Sequence, residues 1–145
     1  MKLRPMLIAL LAFIGMIDAL YLSIKRNSGP IPCHITRGCT DVLTSKYSEV
    51  AGVPLSWFGL AFYVTVFSLA VFTIFEEPGR PASPAKSAVS VIFYLSGAGL
   101  IISALLVGIQ AFILKAYCEY CLLSAALVLS IFLLSPHPVR HTHPE

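Results

Sequence analysis

The chain has 145 residues, of which 57% are hydrophobic and 12% are charged, and its net charge is +3. A soluble domain usually carries about 25% charged residues, so the sequence lacks half of the polar surface that contact with water requires. The length fits one domain, and so small and scattered a positive charge excludes an extended nucleic-acid-binding surface. Composition therefore predicts a single integral membrane domain.

Four apolar stretches predict membrane-spanning helices, each of which needs about 20 apolar residues. In chain order they lie at about 6–24, 54–75, 88–114 and 117–134. The fourth is long enough only if its helix begins near Tyr117, which draws Cys118 and Cys121 into the first turn. The predicted fold class is therefore all-α, a bundle of four transmembrane helices.

The first span has two features that need interpretation. Lys2 and Arg4 precede it, as in a signal peptide, but no convincing small-x-small cleavage site follows, so we interpret it as a retained helix. Its one charge, Asp18, lies six residues before the end of the stretch, about 9 Å deep at 1.5 Å per residue. An intramembrane acid suggests a function such as proton relay. We favour the simpler interpretation that Asp18 reaches water at the interface or pairs with a neighbour.

The longest connection, at about 25–53, joins the first two spans and carries Cys33 and Cys39 in the segment PCHITRGC. His34 and Arg37 supply positive charge that would stabilise a thiolate there. Considered alone, the pair is open to two interpretations, a redox-active pair and a structural loop disulfide.

The segment after this pair predicts a short helix. Leu43, Tyr47 and Val50 follow the spacing i, i+4, i+7 of one helical face, and Thr40 or Asp41 suits its N-terminal cap. We expect a half-helix that lies on the bilayer surface, apolar face down, and covers the bundle.

The remaining connections carry less information. The segment EEPGRPASPAK from Glu76 predicts a plain turn, and Pro54 suits the first turn of the second span. The residues 136–145 predict a flexible tail whose three histidines bind no metal. In the third span, glycines predict close helix contacts rather than a site; they are Gly97, Gly99 and Gly108.

The number of crossings places both cysteine pairs on one side of the membrane. With four spans, the connection after the first and the connection after the third face the same compartment, so Cys33/Cys39 and Cys118/Cys121 can meet. Lysines and arginines divide five against five between the two sides, so the positive-inside rule does not decide the orientation. Disulfides persist in oxidising compartments, which predicts a periplasmic or other extracytoplasmic face, most simply on a bacterial cytoplasmic membrane.

The CEYC pair predicts redox chemistry. A helix N-terminus favours a thiolate, which Lys115 just upstream supports and Glu119 opposes. A static disulfide of this spacing would restrain little chain entropy, and a structural zinc site usually has CxxC at both ends, so we expect no metal. Two pairs on one side permit a relay that takes electrons from a dithiol partner by thiol–disulfide exchange and passes them to a membrane quinone.

Together these residues resemble the vitamin K epoxide reductase (VKOR) family. The matching features are the loop cysteine pair, Ser45 six residues after its second member, Tyr47, the segment VPLSWFGLAFY that opens the second span, and CEYC at the head of the fourth. The resemblance covers residues of about 8–134, and no thioredoxin-like domain follows in this sequence. It therefore points to the stand-alone form of the family.

The resemblance implies a four-helix bundle around a quinone of menaquinone, ubiquinone or vitamin K type. It implies an enzyme that oxidises a thioredoxin-like or DsbA-like protein and so supports disulfide formation. Cys121 would face the quinone and Cys118 would exchange with the loop pair, so the implied catalytic residues are Cys33, Cys39, Cys118 and Cys121. The implied quinone contacts are Cys121, Ser45, Tyr47, Leu55, Ser56, Phe58 and Ala125.

Two of these positions depart from the animal members of the family. Leu55 stands where those members have Asn, and Ala125 stands where they have Tyr, so both of the family's hydrogen-bond donors to the quinone oxygens are missing. The departures favour a bacterial-type quinone reductase over a vitamin K epoxide reductase proper. A third alternative is a non-catalytic four-span scaffold with two structural disulfides.

Overall fold

The computed structural model describes residues 3–29, 33–34, 38–76 and 84–135. This part of the chain is mostly helical, and a 3-10 turn at Lys46–Ser48 and a π-helical turn at Gln110–Leu114 add to its helices. The five α-helices are α1 (Leu3–Ser28), α2 (Cys39–Leu43), α3 (Leu55–Phe75), α4 (Pro84–Ile109) and α5 (Glu119–Leu134). A two-stranded antiparallel hairpin, β1 (Glu49–Val50) and β2 (Val53–Pro54), precedes α3.

Within the described residues, three helices are long and apolar enough to cross a membrane: Leu3–Ser28, Leu55–Phe75 and Lys86–Leu114, which includes the π-helical turn. The fourth predicted span is α5, which has 16 residues and rises about 24 Å at 1.5 Å per residue. It begins at Glu119, later than predicted, because Lys115 has a left-handed backbone (φ 50°) and Cys118 is extended. Cys118 therefore precedes the helix, and Cys121 lies in its first turn.

The bundle packs most tightly in the half that lies away from the cysteines. α1 packs along α3 and against α5, and α4 contacts α3 and α5. Small residues allow the close approach of α1 to its neighbours, as at other membrane helix interfaces; the buried ones are Ala9, Ala12, Gly15 and Ala19. At Gly15 a Cβ would lie 2.3 Å from the ring of Tyr63, so the ring occupies the space that glycine leaves.

The glycines of α4 behave differently from one another. A Cβ at Gly99 would approach Phe62 to 3.2 Å, and one at Gly97 would approach Phe132 to 3.4 Å, so both lie at helix contacts. Nothing lies within 4 Å of a Cβ built on Gly108. The predicted contact at Gly108 is therefore wrong.

The surface half-helix is shorter than predicted. α2 ends at Leu43 and the 3-10 turn follows, and Val50 lies in β1 with 52% of its surface exposed. The helical spacing does not persist because Ala51 and Gly52 both adopt positive φ and reverse the chain into the hairpin. The all-α prediction missed this hairpin.

The predicted cap of the half-helix is also wrong. Thr40 and Asp41 lie inside α2, since Gly38 holds the N-cap position and its carbonyl accepts a hydrogen bond from the N–H of Val42 at 2.9 Å. Arg37, the connection 77–83 and the predicted tail 136–145 lie outside the described residues.

Candidate redox site and cavity

The loop cysteines form a disulfide that rests against the connection between α4 and α5. Cys33 and Cys39 are bonded, with their Cα atoms 5.9 Å apart. Next to Cys39, a Cβ on Gly38 would lie 2.7 Å from the Cβ of Ala116 and 2.8 Å from the backbone nitrogen of Tyr117. The loop approaches this connection more closely than any side chain at position 38 would allow.

The close approach brings the two cysteine pairs together. Cys118 and Cys121 are free thiols. Cys39 and Cys118 are both fully buried and belong to one apolar cluster, which also contains Leu22, Val42 and Leu43. Cys33 and Cys121 are only partly buried and pack at the edge of this cluster. Each pair therefore contributes one buried member to a shared cluster and leaves the other more accessible.

Gln110 fixes the backbone that precedes α5. It is 2% exposed, and its side-chain Oε1 accepts a hydrogen bond from the N–H of Cys118 at 3.0 Å. Its own carbonyl accepts one from Ala116 at 3.2 Å. A buried backbone N–H without a partner is costly, so the glutamine stabilises the turn that presents Cys118. The sequence analysis missed this residue, although an amide in so apolar a span was the available signal.

The surroundings of Cys118 favour its thiolate. Its pKa lies below the ordinary thiol value, first because the Cys121 side chain forms a hydrogen bond with it and further because the backbone N–H groups of Cys121 and Tyr120 face it. Burial and the negative charge of Asp18 act in the opposite direction. A thiol of lower pKa is the better leaving group in disulfide exchange, so Cys118 is suited to be released from a mixed disulfide with a loop cysteine.

Glu119 lies beside the loop disulfide. Its Oε1 accepts a hydrogen bond from the backbone N–H of His34 at 2.8 Å. One carboxylate oxygen and the Sγ atoms of Cys33 and Cys39 all lie within 4.8 Å of one another. Because the two sulfurs are bonded to each other, they do not serve as metal ligands in this state. The glutamate therefore links the start of α5 to the loop.

A cavity of about 510 Å³ opens beside the CEYC pair, within the size range of small-molecule sites. Residues of α1, α3, α4 and α5 form its walls, and α2, the 3-10 turn and β1 cover it. Its lining is mostly apolar. Cys121 lines the cavity. Cys118 is not part of the lining and lies in the same buried cluster as Cys39.

The cavity lining includes most of the predicted quinone contacts: Ser45, Tyr47, Leu55, Ser56, Phe58 and Cys121. Ala125 is half-buried and lies outside the lining, one residue past Ser124, which does line the cavity. The structure therefore gathers residues of the loop, α3 and α5 around one space.

Tyr63 closes the cavity towards the packed half of the bundle. It is 1% exposed, and its hydroxyl donates to the carbonyl of Ser124 at 3.0 Å and lies 2.7 Å from the hydroxyl of the same serine. Since Gly15 packs against its ring, the tyrosine joins α1, α3 and α5 in one layer. The sequence analysis missed this role.

Arg26 ties the cover of the cavity to α1. Its guanidinium forms an ion pair with Glu49 and donates hydrogen bonds to the carbonyl and hydroxyl oxygens of Ser48 at 3.4 and 3.3 Å. The Ser48 hydroxyl in turn donates to the carbonyl of Leu43 at 2.7 Å. One side chain thus holds the segment that lies over the cavity, another feature that the sequence analysis missed.

The sequence analysis expected Asp18 to reach water at the interface or to pair with a neighbour, and the described residues show neither. Asp18 is 7% exposed and lines the cavity, and it forms no hydrogen bond or ion pair with any residue that the structure describes. α1 continues to Ser28, so Asp18 lies ten residues, about 15 Å, from the helix end. The expectation failed because the side chain faces the interior of the bundle, where it lines the cavity.

Comparison with known proteins agrees with this geometry. The Vitamin K epoxide reductase family model matches residues 6–135, a range that contains both cysteine pairs and the whole cavity lining. The chain is 35% identical over 139 residues to the Thiol-disulfide oxidoreductase LTO1 of Arabidopsis thaliana, a match that covers 86% of this chain and 34% of that protein. The chain thus spans about a third of the length of this relative. The predicted resemblance is confirmed, and the chain belongs to the vitamin K epoxide reductase family.

Proposed function

We propose that this protein is a membrane thiol:quinone oxidoreductase that oxidises a thioredoxin-like or DsbA-like protein and reduces a membrane quinone, and so supports disulfide-bond formation. The observation that carries the proposal is the arrangement of the four cysteines. Cys39 and Cys118 are buried in one apolar cluster, and Cys121 lines a cavity. In this proposal α5 completes a fourth crossing, and the cysteines face the extracytoplasmic side of a bacterial cytoplasmic membrane.

The reaction begins at the loop disulfide. Cys33 is the more accessible of the two loop cysteines, so a thiolate of the partner attacks its sulfur and releases Cys39. The second partner thiol then resolves the mixed disulfide, which leaves the partner oxidised and Cys33/Cys39 as a dithiol. Two electrons and two protons have entered the protein.

The second exchange moves these electrons inward. Once Cys118 and Cys121 are joined as a disulfide, the reduced Cys39 attacks Cys118, its neighbour in the buried cluster. Cys33 then closes the loop disulfide and leaves Cys118 and Cys121 as free thiols, the state that the structure shows. These thiols return to a disulfide by passing two electrons and two protons to the quinone, which becomes a quinol.

The cavity supports a quinone as the acceptor. An aromatic dione needs apolar walls with a few polar groups near its oxygens. Cys121 supplies the reacting sulfur, and three residues that carry hydroxyl groups, Ser45, Ser56 and Tyr47, also line the cavity. The same family relation supports a thiol protein as donor, since LTO1 is a thiol-disulfide oxidoreductase.

The test measures quinone loss by absorbance, using protein purified in detergent, a reduced DsbA-like partner and a soluble quinone. Single cysteine-to-alanine variants are compared with two electron donors, the partner and a small dithiol. We expect Cys33→Ala and Cys39→Ala to lose activity with the partner but retain it with the dithiol. We expect Cys118→Ala and Cys121→Ala to lose both activities.

A trapping experiment tests the geometry independently of turnover. The double variant Cys33→Ala/Cys121→Ala leaves Cys39 and Cys118 as the two remaining thiols, and mild oxidation should join them in one molecule. The matched control is Cys39→Ala/Cys121→Ala, which retains Cys33 instead. It should form less of a Cys33–Cys118 disulfide than the first variant forms of the Cys39–Cys118 disulfide. If the parent protein consumes no quinone while its cysteines stay paired, the proposal fails and a structural scaffold is the better interpretation.

A further inference from the structure

We propose that Asp18 carries a proton between the CEYC thiols and a quinone oxygen in the cavity, an inference that rests on the function proposed above. The proposal begins from burial. Asp18 is 93% buried, it lines the cavity, and it has no hydrogen-bond partner among the described residues. Every fully buried side-chain polar atom of the described residues has a partner, so the unpartnered carboxyl group of Asp18 keeps some exposure towards the cavity. Inside a membrane span such a group indicates a function.

The helix register places Asp18 level with Cys121. Gly15 of α1 and Ser124 of α5 both contact Tyr63, so these three residues define one layer of the bundle. α1 runs towards the cysteine end and α5 runs away from it. Asp18 follows Gly15 by three residues and Cys121 precedes Ser124 by three, so each lies about 4.5 Å above the layer. Both then line the cavity at the same height.

The other polar groups of the cavity are less suited to the transfer. The Tyr63 hydroxyl is engaged by Ser124, and the Arg26 guanidinium by Ser48 and Glu49. Among the described lining residues, Asp18 is the one carboxyl group, and the serine hydroxyls and the Gln110 amide neither gain nor lose a proton readily near neutral pH. The absence of the family's polar residues at Leu55 and Ala125 leaves the quinone oxygens more dependent on such a group.

The transfer balances without any further reagent. The two thiols lose two electrons and two protons as the Cys118–Cys121 bond forms, and the quinone gains both as a quinol. Asp18 accepts the proton of one thiol and donates it to one quinone oxygen, and the proton of the other thiol passes to the second quinone oxygen. The carboxyl group is unchanged after the cycle. General acid–base catalysis of this kind contributes about 10²- to 10⁴-fold to a rate.

The first test follows a single turnover. Protein with a reduced CEYC pair is mixed with a soluble quinone, and quinol formation is recorded for Asp18→Asn, which keeps the size of the side chain but carries no transferable proton. We expect the rate to fall by about 10² or more and Asp18→Glu to recover most of it. The matched control is Asp41→Asn, at the chain's other aspartate, which is exposed on α2; we expect the parent rate.

The second test requires no change at Asp18. In Asp41→Asn protein labelled with carboxyl-¹³C aspartate, the remaining aspartate is Asp18, so infrared difference spectra of quinone reduction report on this group alone. We expect the labelled carboxyl band to change when the quinone is reduced.

The outcomes separate the two proposals. Parent protein that reduces quinone while Asp18→Asn does so equally fast, or while the labelled band stays constant, overturns the role of Asp18 and leaves the proposed function intact. A parent that passes no electrons to quinone overturns the proposed function, and the inference with it.

Discussion

Gly38→Ala should separate the two halves of the electron relay. The φ of Gly38 is −105°, which alanine adopts without strain, so the effect of the change is steric. The new methyl group would lie 2.7 Å from the Cβ of Ala116 and 2.8 Å from the backbone nitrogen of Tyr117, whereas unstrained contacts need about 3.5–4.0 Å. Neither obstacle is the end of a flexible side chain, so the loop and the connection before α5 must part by about 1 Å.

Cys39 follows Gly38 and Cys118 follows Tyr117 in the chain, so we expect this separation to move the two buried cysteines apart. A misplacement of about 1 Å can lower a rate by about 10²-fold. We therefore expect quinone reduction driven by the reduced partner to fall by about that factor. A small dithiol reduces the CEYC pair directly, so the rate of quinone reduction with this donor should not change.

The assay records quinone absorbance with both donors, side by side, in the parent, in Gly38→Ala and in Gly108→Ala. Gly108 is the matched control, since a Cβ there meets nothing within 4 Å. Loss of both activities in Gly38→Ala would indicate general misfolding. An unchanged rate with the partner would show that the loop delivers electrons without the close approach described above, and would refute the reasoning.

Three further predictions concern stability and thiol reactivity. Gly15→Ala forces a methyl group into an aromatic ring and should lower thermal stability in detergent, by about 1–3 kcal/mol, while Gly108→Ala should not. Gln110→Leu leaves the Cys118 N–H buried without its partner; we expect a loss of about 1–3 kcal/mol in the same melts. Cys121→Ala removes the group that hydrogen-bonds Cys118 and lowers its pKa, whereas Cys121→Ser retains a donor. The pH midpoint of Cys118 labelling by a small thiosulfonate should therefore be higher in Cys121→Ala than in Cys121→Ser. Equal midpoints would contradict the hydrogen bond as the cause of the lowered pKa.

The long helices were predictable because hydropathy and length act locally along the chain. The ends of these helices were less predictable. α1 continues through Lys25 and Arg26 because Arg26 is held by Ser48 and Glu49, a contact between segments that no window of sequence contains. The early boundary at Ile24 then placed Asp18 near water, when its helix face directs it into the cavity.

The site was predictable to the extent that it depends on order along the chain. The parity of the spans predicted both cysteine pairs on one side, and the family resemblance supplied residues between Ser45 and Phe58 that line the cavity. The hairpin was missed because the helical spacing of Leu43, Tyr47 and Val50 outweighed the turn signal of Gly52. Gln110 and Tyr63 were missed because their partners lie on other elements, and only the folded chain brings a buried donor to a buried acceptor.

The shortness of α5 has a consequence for the bilayer. Its apolar length of about 24 Å falls short of a hydrocarbon core of about 30 Å, and its last residue, Leu134, still packs against the bundle core. In the proposed function, in which α5 completes a crossing, we expect the mismatch to fall at the other end, with the start of the helix beneath the lipid headgroups and the loop above it. The proposed thiol partner would then not have to enter the membrane, since its electrons would pass inward to the depth at which the proposed quinone resides. Membrane thickness becomes a variable of the reaction, and reconstitution into lipids of graded chain length would vary it.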